Sequence, residues 1–235
     1  MSDEIVIIKI GGSILFPELQ KIDSKYLGAL KKTLEKHIKF GKRFVLVIGG
    51  GAISRWYMNY CKNELGIKNE DDIAKIGASC TRTNAEVMRS YFGTLAYPEN
   101  YCDYSKDIDW KEPILVASAW IPGKSTNMDA VLLAKKFGID TVIVNSNVDY
   151  IYSEDPKKNP NAKPHTRLSW NEYEKILSRA TDSNRHIPGT HIPFDSVATI
   201  EAKKMGLKVL FCRGTDLGTV ENILSGKAFA GTTIY

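Results

Sequence analysis

The apolar run "EIVII" at positions 4–8 is followed by a lysine, Lys9, and then by Ile10, Gly11, Gly12 and Ser13. An ammonium is expensive to bury without compensation. The alternative is a lysine that snorkels from an edge strand, which fits poorly with so apolar a run, so Lys9 is expected to be held for anionic oxygens. Two other stretches, "IGGGAISR" (48–55) and "WIPGKST" (120–126), follow apolar runs in the same way. One glycine pair after a strand is more often a tight turn than a ligand loop. Three such sequences are harder to explain as turns alone, because glycine lets backbone N–H donors come close to a ligand.

The "GKST" spelling invites a reading as a nucleotide-binding P-loop. That pattern needs a glycine five positions before Gly123, where this chain has Ser118, so the pattern fails. What remains is an apolar strand "EPILVAS", a Pro122-Gly123 turn and "NMDAVLLAKKFG" with helical spacing and a glycine stop. A loop that feeds a helix N-terminus is a good anion site under any name.

Five short apolar runs are predicted to be strands: 4–10, 43–48, 113–118, 140–145 and 207–212. Amphipathic stretches at 24–40, 52–65, 72–92, 127–138 and 195–206 separate or follow them. Nearly all-apolar strands alternating with such helices imply a parallel sheet covered on both faces. The expected fold is α/β, a three-layer α/β/α sandwich with a mainly parallel central sheet, in which ligands bind beyond the C-terminal ends of the strands. Two segments interrupt the alternation. Residues 149–169 read as a hairpin or extended loop, and residues 181–194 as a long loop of the length that is often functional.

The 235 residues suffice for a well-buried core, and 43% hydrophobic with 25% charged residues is ordinary for a globular chain. A net charge of +5, spread without a dense basic block, argues against nucleic acid as a partner and leaves anionic small molecules open. The most basic local stretch, 157–165, reads as a solvated loop. The N-terminus begins acidic and its apolar run is short, which fits a first strand better than a signal peptide or membrane span and predicts a cytoplasmic protein. Cys61, Cys80, Cys102 and Cys212 are widely spaced and read as buried free thiols. The four histidines show no metal-ligand spacing, and His186 and His191 are assigned no catalytic role.

The ordered motifs "KIGGS", "VIGGGAISR", "IGASCTRTNA", "PGKST", "NSNVDYIYSEDPKKNPNAK" and "PGTHIPFDSVA" resemble those of the amino-acid kinase family, most nearly its UMP kinases of archaeal and bacterial type. The likeness runs from about residue 5 to the C-terminal "GTTIY". It implies one amino-acid kinase domain over 1–235, with an acceptor-binding part at about 1–135 and a nucleotide-binding part at about 136–235. It also implies ATP-dependent phosphorylation of UMP. Lys9 would bridge the β- and γ-phosphates, while Gly11, Gly12 and Ser13 would donate to the moving phosphate. Gly49, Gly50 and Gly51 would admit the acceptor, and Arg55 would clamp its phosphate in the two-pronged manner of a guanidinium. Ser125 and Thr126 would belong to the acceptor loop, and Asn147, Tyr152 and Asp155 would line the adenine and ribose pocket. Asp195 would orient the lysine and the metal, and it also reads as a helix N-cap. Mg²⁺ would be held mainly by phosphates and water rather than by protein ligands. The resemblance further implies a homo-oligomer, dimer or hexamer.

Three positions depart from the resembled pattern. Ala74 stands where an aspartate would meet the acceptor's ribose, Asn127 replaces an aspartate, and Tyr150 replaces a glycine. These changes keep open a different phosphomonoester acceptor, a carboxylate acceptor, and a nucleotide- or anion-binding relative without turnover.

Overall fold

Hydrophobic alternation in the first strand, β1 (Glu4–Ile10), sets the architecture. Ile8 and Ile10 enter one core and Ile7 the other, so β1 must be covered on both faces. The computed structural model describes residues 4–156, 159–180 and 194–235. Positions 181–193, with His186, His191 and the first six residues of "PGTHIPFDSVA", lie outside the described residues, as do Lys157 and Lys158 of the basic stretch.

β1 pairs in parallel with β2 (Lys42–Ile48) on one side and β4 (Thr141–Ser146) on the other. β3 (Ile114–Ala117) continues the sheet beyond β2, and β8 (Lys208–Arg213) continues it beyond β4, both parallel. These are the five strands expected from the apolar runs. Two more complete a seven-stranded sheet among the described residues, in the order β3-β2-β1-β4-β8-β9-β7. β9 (Gly231–Ile234) runs antiparallel to β8, and the two-residue β7 (Arg167–Leu168) is parallel to β9. Within 149–169, β5 (Ile151–Tyr152) and β6 (Pro164–His165) pair antiparallel, as the hairpin reading expects.

One face of the sheet packs on α1 (Gly12–Leu15), α2 (Ser24–Ile38), α4 (Glu70–Phe92) and α8 (Leu217–Leu224). The other packs on α5 (Thr126–Phe137), α6 (Trp170–Ala180) and α7 (Ser196–Met205). α3 (Gly51–Asn63) lies against α4. Local chemistry sets the helix boundaries. The side chains of Asn69, Ser125 and Asp195 cap α4, α5 and α7 by accepting backbone N–H groups, and Gly138 and Gly206 end α5 and α7 in the left-handed conformation. No helix among the described residues is long and apolar enough to cross a membrane.

Chain direction around β1 creates the site. From β1 the chain moves outward through β2 to β3, then returns to β4 on the opposite side and moves outward again to β8. The C-terminal ends of β1 and β4 therefore flank a topological switch point, where an open α/β sheet leaves a crevice for a ligand.

Candidate active site

Lys9 lies in register between Val47 of β2 and Val144 of β4, on the sheet face that carries α5 and α7. Its ammonium makes no hydrogen bond and no ion pair with a described residue. Desolvation lowers its pKa to about 8, against the opposing pull of the Asp195 carboxylate. The result is an amine held by strand pairing at the crevice, its donors uncommitted among the described residues.

Directly after Lys9, two glycine loops press backbone on backbone. Gly11 N–H donates to the Asn145 carbonyl at 3.1 Å, and Gly49 N–H to the Ile10 carbonyl at 3.1 Å. A Cβ on Gly12 would stand 2.1 Å from the Gly51 nitrogen and 2.6 Å from the Gly49 carbonyl carbon. Gly51 begins α3 with a φ of +66°, which an L side chain would strain. The first N–H groups of α1 and α3 lack intrahelical acceptors by helix geometry, and both helices begin at this crossing. The Ser13 hydroxyl is half-buried and, among the described residues, has no hydrogen-bond partner.

Asn84 of α4 holds the second loop from below, its Nδ2 donating to the Gly49 carbonyl at 3.0 Å and the Gly50 carbonyl at 2.8 Å. It is buried on the core face of α4 and was not among the expected site residues. The signal was present: an amide on the core face of "CTRTNAEVM" needs a partner. Arg55 sits in the first turns of α3, half-buried and without an ion pair among the described residues.

Opposite the glycine crossing, the N-termini of α5 and α7 are tied together. Asp195 is 5% exposed and caps α7 through the Ala198 N–H at 3.1 Å. Its other oxygen accepts from the Ser125 hydroxyl and from Asn127 Nδ2, the latter at 3.2 Å. Ser125 also caps α5 by accepting the Met128 N–H at 3.1 Å. The Ser125 hydroxyl is thus spent on joining two helices, and Thr126 is the neighbouring half-buried hydroxyl. Asn127, read in the sequence as a departure, is the amide that complements Asp195: a carboxylate there would face a carboxylate.

Beyond β4, Asn147 is exposed and Tyr152 and Asp155 are half-buried. Tyr150 and Tyr152 meet edge to face with ring centroids 6.4 Å apart, and Arg213 pairs with Asp149 across the ends of β8 and β4. Tyr150 has no positive φ, so the tyrosine fits its backbone without strain. Ala74 of α4 packs toward the Pro122-Gly123 turn, since a Cβ on Gly123 would stand 3.7 Å from the Ala74 methyl.

The described residues do not fit a metal held by protein side chains. Among the described residues no cluster of three or more His, Cys, Asp or Glu side chains could bind an ion. Asp195, the carboxylate whose charge acts on Lys9, has both oxygens engaged in hydrogen bonds.

Lys9 at the switch point, two interlocked glycine loops and the tied N-termini of α5 and α7 form the candidate site. The family model for the amino acid kinase family matches residues 4–213. The chain belongs to the amino acid kinase family. Within it, the chain is similar to the uridylate kinase of Thermococcus sibiricus, 31% identical over 224 residues that cover 94% of this chain and 96% of that one. It is similar also to the uridylate kinase of Staphylothermus marinus, 30% identical over the whole of both chains. The crystal structure of uridylate kinase from Archaeoglobus fulgidus superposes with a TM-score of 0.82 at 28% identity, covering 99% of this chain and 100% of that one. The seven-stranded sheet with helices on both sides is thus the amino-acid kinase fold.

Proposed function

We propose that this chain transfers the γ-phosphoryl group of ATP to UMP, giving UDP and ADP. A phosphate oxygen of UMP attacks the γ-phosphorus in line, the bond to the β,γ-bridging oxygen breaks, and that oxygen leaves with ADP. Such a transfer needs positioning and charge neutralisation rather than a protein nucleophile. The observation that carries the reading is the Lys9 ammonium, without a hydrogen-bond partner among the described residues, between the central strands and beside the Gly11-Gly12 and Gly49–Gly51 loops. Lys9 offsets the charge that moves onto the leaving oxygen, and the glycine loops and Ser13 donate to the transferring group. Arg55 clamps the UMP phosphate with Thr126 facing it from the acceptor loop. Asn147, Tyr152 and Asp155 form the ATP side.

The chain is read as one domain, with the acceptor part at about 1–135 and the nucleotide part at about 136–235. Exposed Trp56, Tyr57 and Tyr60 on α3 support a homo-oligomer, dimer or hexamer.

The test is ADP formation from MgATP over a panel of UMP, CMP, dUMP, AMP, isopentenyl phosphate, glutamate and aspartate, with Lys9→Ala as the blank. Turnover with UMP is expected, reduced by about 10²–10³-fold in the blank, as for loss of one preorganised donor to a developing anion. No turnover with any acceptor despite ATP binding would leave a binding or storage protein instead. One observation favours a second reading. The Ala74 methyl against the Gly123 turn gives the acceptor pocket an apolar wall, which suits a phosphomonoester without vicinal hydroxyls. Preference for dUMP or isopentenyl phosphate over UMP would decide for it.

A further inference from the structure

Asp129 lies in the first turn of α5, only 1% exposed, and none of the roles above uses it. One carboxylate oxygen accepts the Trp120 N–H at 3.3 Å, and the other, also buried, has no hydrogen-bond partner. Burial raises its pKa to about 7, with the Trp120 N–H and Arg82 opposing and Asp195 adding to the rise. An acid so placed is costly to keep. A small apolar side chain would complete the core of α5 more cheaply.

What the carboxylate touches is the root of the acceptor loop. From α4, Arg82 donates through Nε to the Ala119 carbonyl at 3.0 Å and through Nη2 to the Trp120 carbonyl at 3.2 Å. From the strap along the β3 edge, the Tyr104 hydroxyl donates to the Ser118 carbonyl at 2.6 Å, and Asn100 Nδ2 to the Ser118 hydroxyl at 2.9 Å. The rings of Tyr104 and Trp120 pack with centroids 5.3 Å apart. Backbone groups of 118, 119 and 120 are thus gripped one after another by side chains from three elements. The Ser118 N–H goes to the Tyr101 carbonyl, and among the described residues Asp129 is the side chain that takes the Trp120 N–H, its ionised form being favoured by Arg82. Five residues further on, Ser125 is tied to Asp195. The segment 121–124, with the Pro122-Gly123 turn, therefore hangs between two buried carboxylates, Asp129 at its start and Asp195 at its end.

We infer that Asp129, acting with Arg82, is a positioning residue that sets the 120–126 loop at the height where it meets the acceptor's phosphate. The inference rests on the phosphoryl-transfer reading above and adds to it a residue that touches neither substrate. Loss of the Trp120 anchor lets the loop sag from the acceptor while Lys9 and the glycine crossing, built on other strands, stay in place. The effect should fall on acceptor binding alone, raising KM for the acceptor with kcat unchanged, the signature of lost uniform binding.

The experiment measures kcat, KM for UMP and KM for ATP in the full-length wild type, Asp129→Ala, Asp129→Asn and Arg82→Lys, with UMP affinity by calorimetry alongside. Asp129→Ala should raise the UMP KM and Kd by about tenfold, with kcat and the ATP KM within about twofold. Asp129→Asn keeps an oxygen for the Trp120 N–H and should recover most of that loss. Arg82→Lys, which cannot span two carbonyls, should reproduce the acceptor-only defect and serves if Asp129→Ala does not fold. Equal UMP KM in wild type, Asp129→Ala and Arg82→Lys would overturn the inference. So would a matching rise in ATP KM, or an Asn variant as impaired as the Ala variant. A wild type that neither binds nor phosphorylates UMP would instead overturn the functional reading, and the inference with it.

Discussion

The two walls of the crevice are built in opposite ways. At the glycine crossing, backbone meets backbone, and Gly12, Gly49 and Gly51 leave no room for a side chain. At the 118–126 loop, backbone meets side chains: Arg82 holds the Ala119 and Trp120 carbonyls, Tyr104 the Ser118 carbonyl and Asp129 the Trp120 N–H, while Asp195 ties down the Ser125 hydroxyl. The first construction is stiff because its neighbours are themselves strand ends and helix starts. The second is adjustable, because each anchor is a side chain that can change without moving the sheet. A phosphotransferase fold can thus keep the transferring centre fixed and vary what it accepts.

The same substitution in the two walls should give different results. Gly12→Ala puts a methyl 2.1 Å from the Gly51 nitrogen, and backbone cannot give way as a flexible side chain would. A stability loss of at least about 1–3 kcal/mol is expected, near the range for overpacking, with activity lost because the two loops are forced apart. Gly123→Ala meets only the Ala74 methyl at 3.7 Å, and its cost is conformational, from a φ of +84°. That cost is about 1–2 kcal/mol, with turnover retained at a raised acceptor KM. Thermal melts and steady-state kinetics on both variants would check the contrast, and equal damage at the two sites would refute it.

A smaller effect is expected at the support beneath the crossing. Asn84→Ala leaves the Gly49 and Gly50 carbonyls without their donor. Unsatisfied buried groups of this kind cost about 1–3 kcal/mol. At about 2–4 °C per kcal/mol for a chain of this size, the melting temperature should fall measurably. Asn84→Asp should be no better, since a carboxylate has no N–H to give and would face two carbonyls.

The contrast between the walls also explains what was legible in the sequence. β1, β2, β3, β4 and β8 were readable because apolar runs that bury both faces leave a plain mark, and α4, α5 and α7 because Asn69, Ser125, Asp195, Gly138 and Gly206 spell their ends. β9 was not read, since "GTTI" is short and rich in threonine and owes its strand to pairing with β8. At the site, the glycine wall could be read because only glycine permits such contacts. Asn84 carried a sign, an amide on the core face of a helix, but not the address of its partners, and Arg82 and Asp129 could not be placed, because a side chain that grips a distant backbone group looks in sequence like any polar residue on a helix. Asn127 looked like a lost carboxylate until Asp195 stood opposite it.

The subtlest effect expected concerns the Lys9 ammonium on which both walls converge. Its pKa of about 8 in the folded chain lies below the ordinary 10.5 because burial disfavours the charge. The folded state therefore resists protonation at this site. The penalty is present in full below pH 8 and fades as pH rises toward 10.5, where the unfolded chain also loses the proton. Lys9→Met should accordingly be the more stable protein near pH 7, with its advantage shrinking between pH 8 and 10. Nucleotide phosphates reverse the preference, since they favour the charged amine. ATP binding at pH 9 should then take up close to one proton, and affinity should weaken by about tenfold per pH unit above pH 8, as one-site linkage requires. Calorimetry in two buffers of different ionisation enthalpy reads the proton directly. Uptake that persists in Lys9→Met would assign the proton to another group, whereas its loss would tie the pH dependence to a single amine held by two strands at the switch point of the sheet.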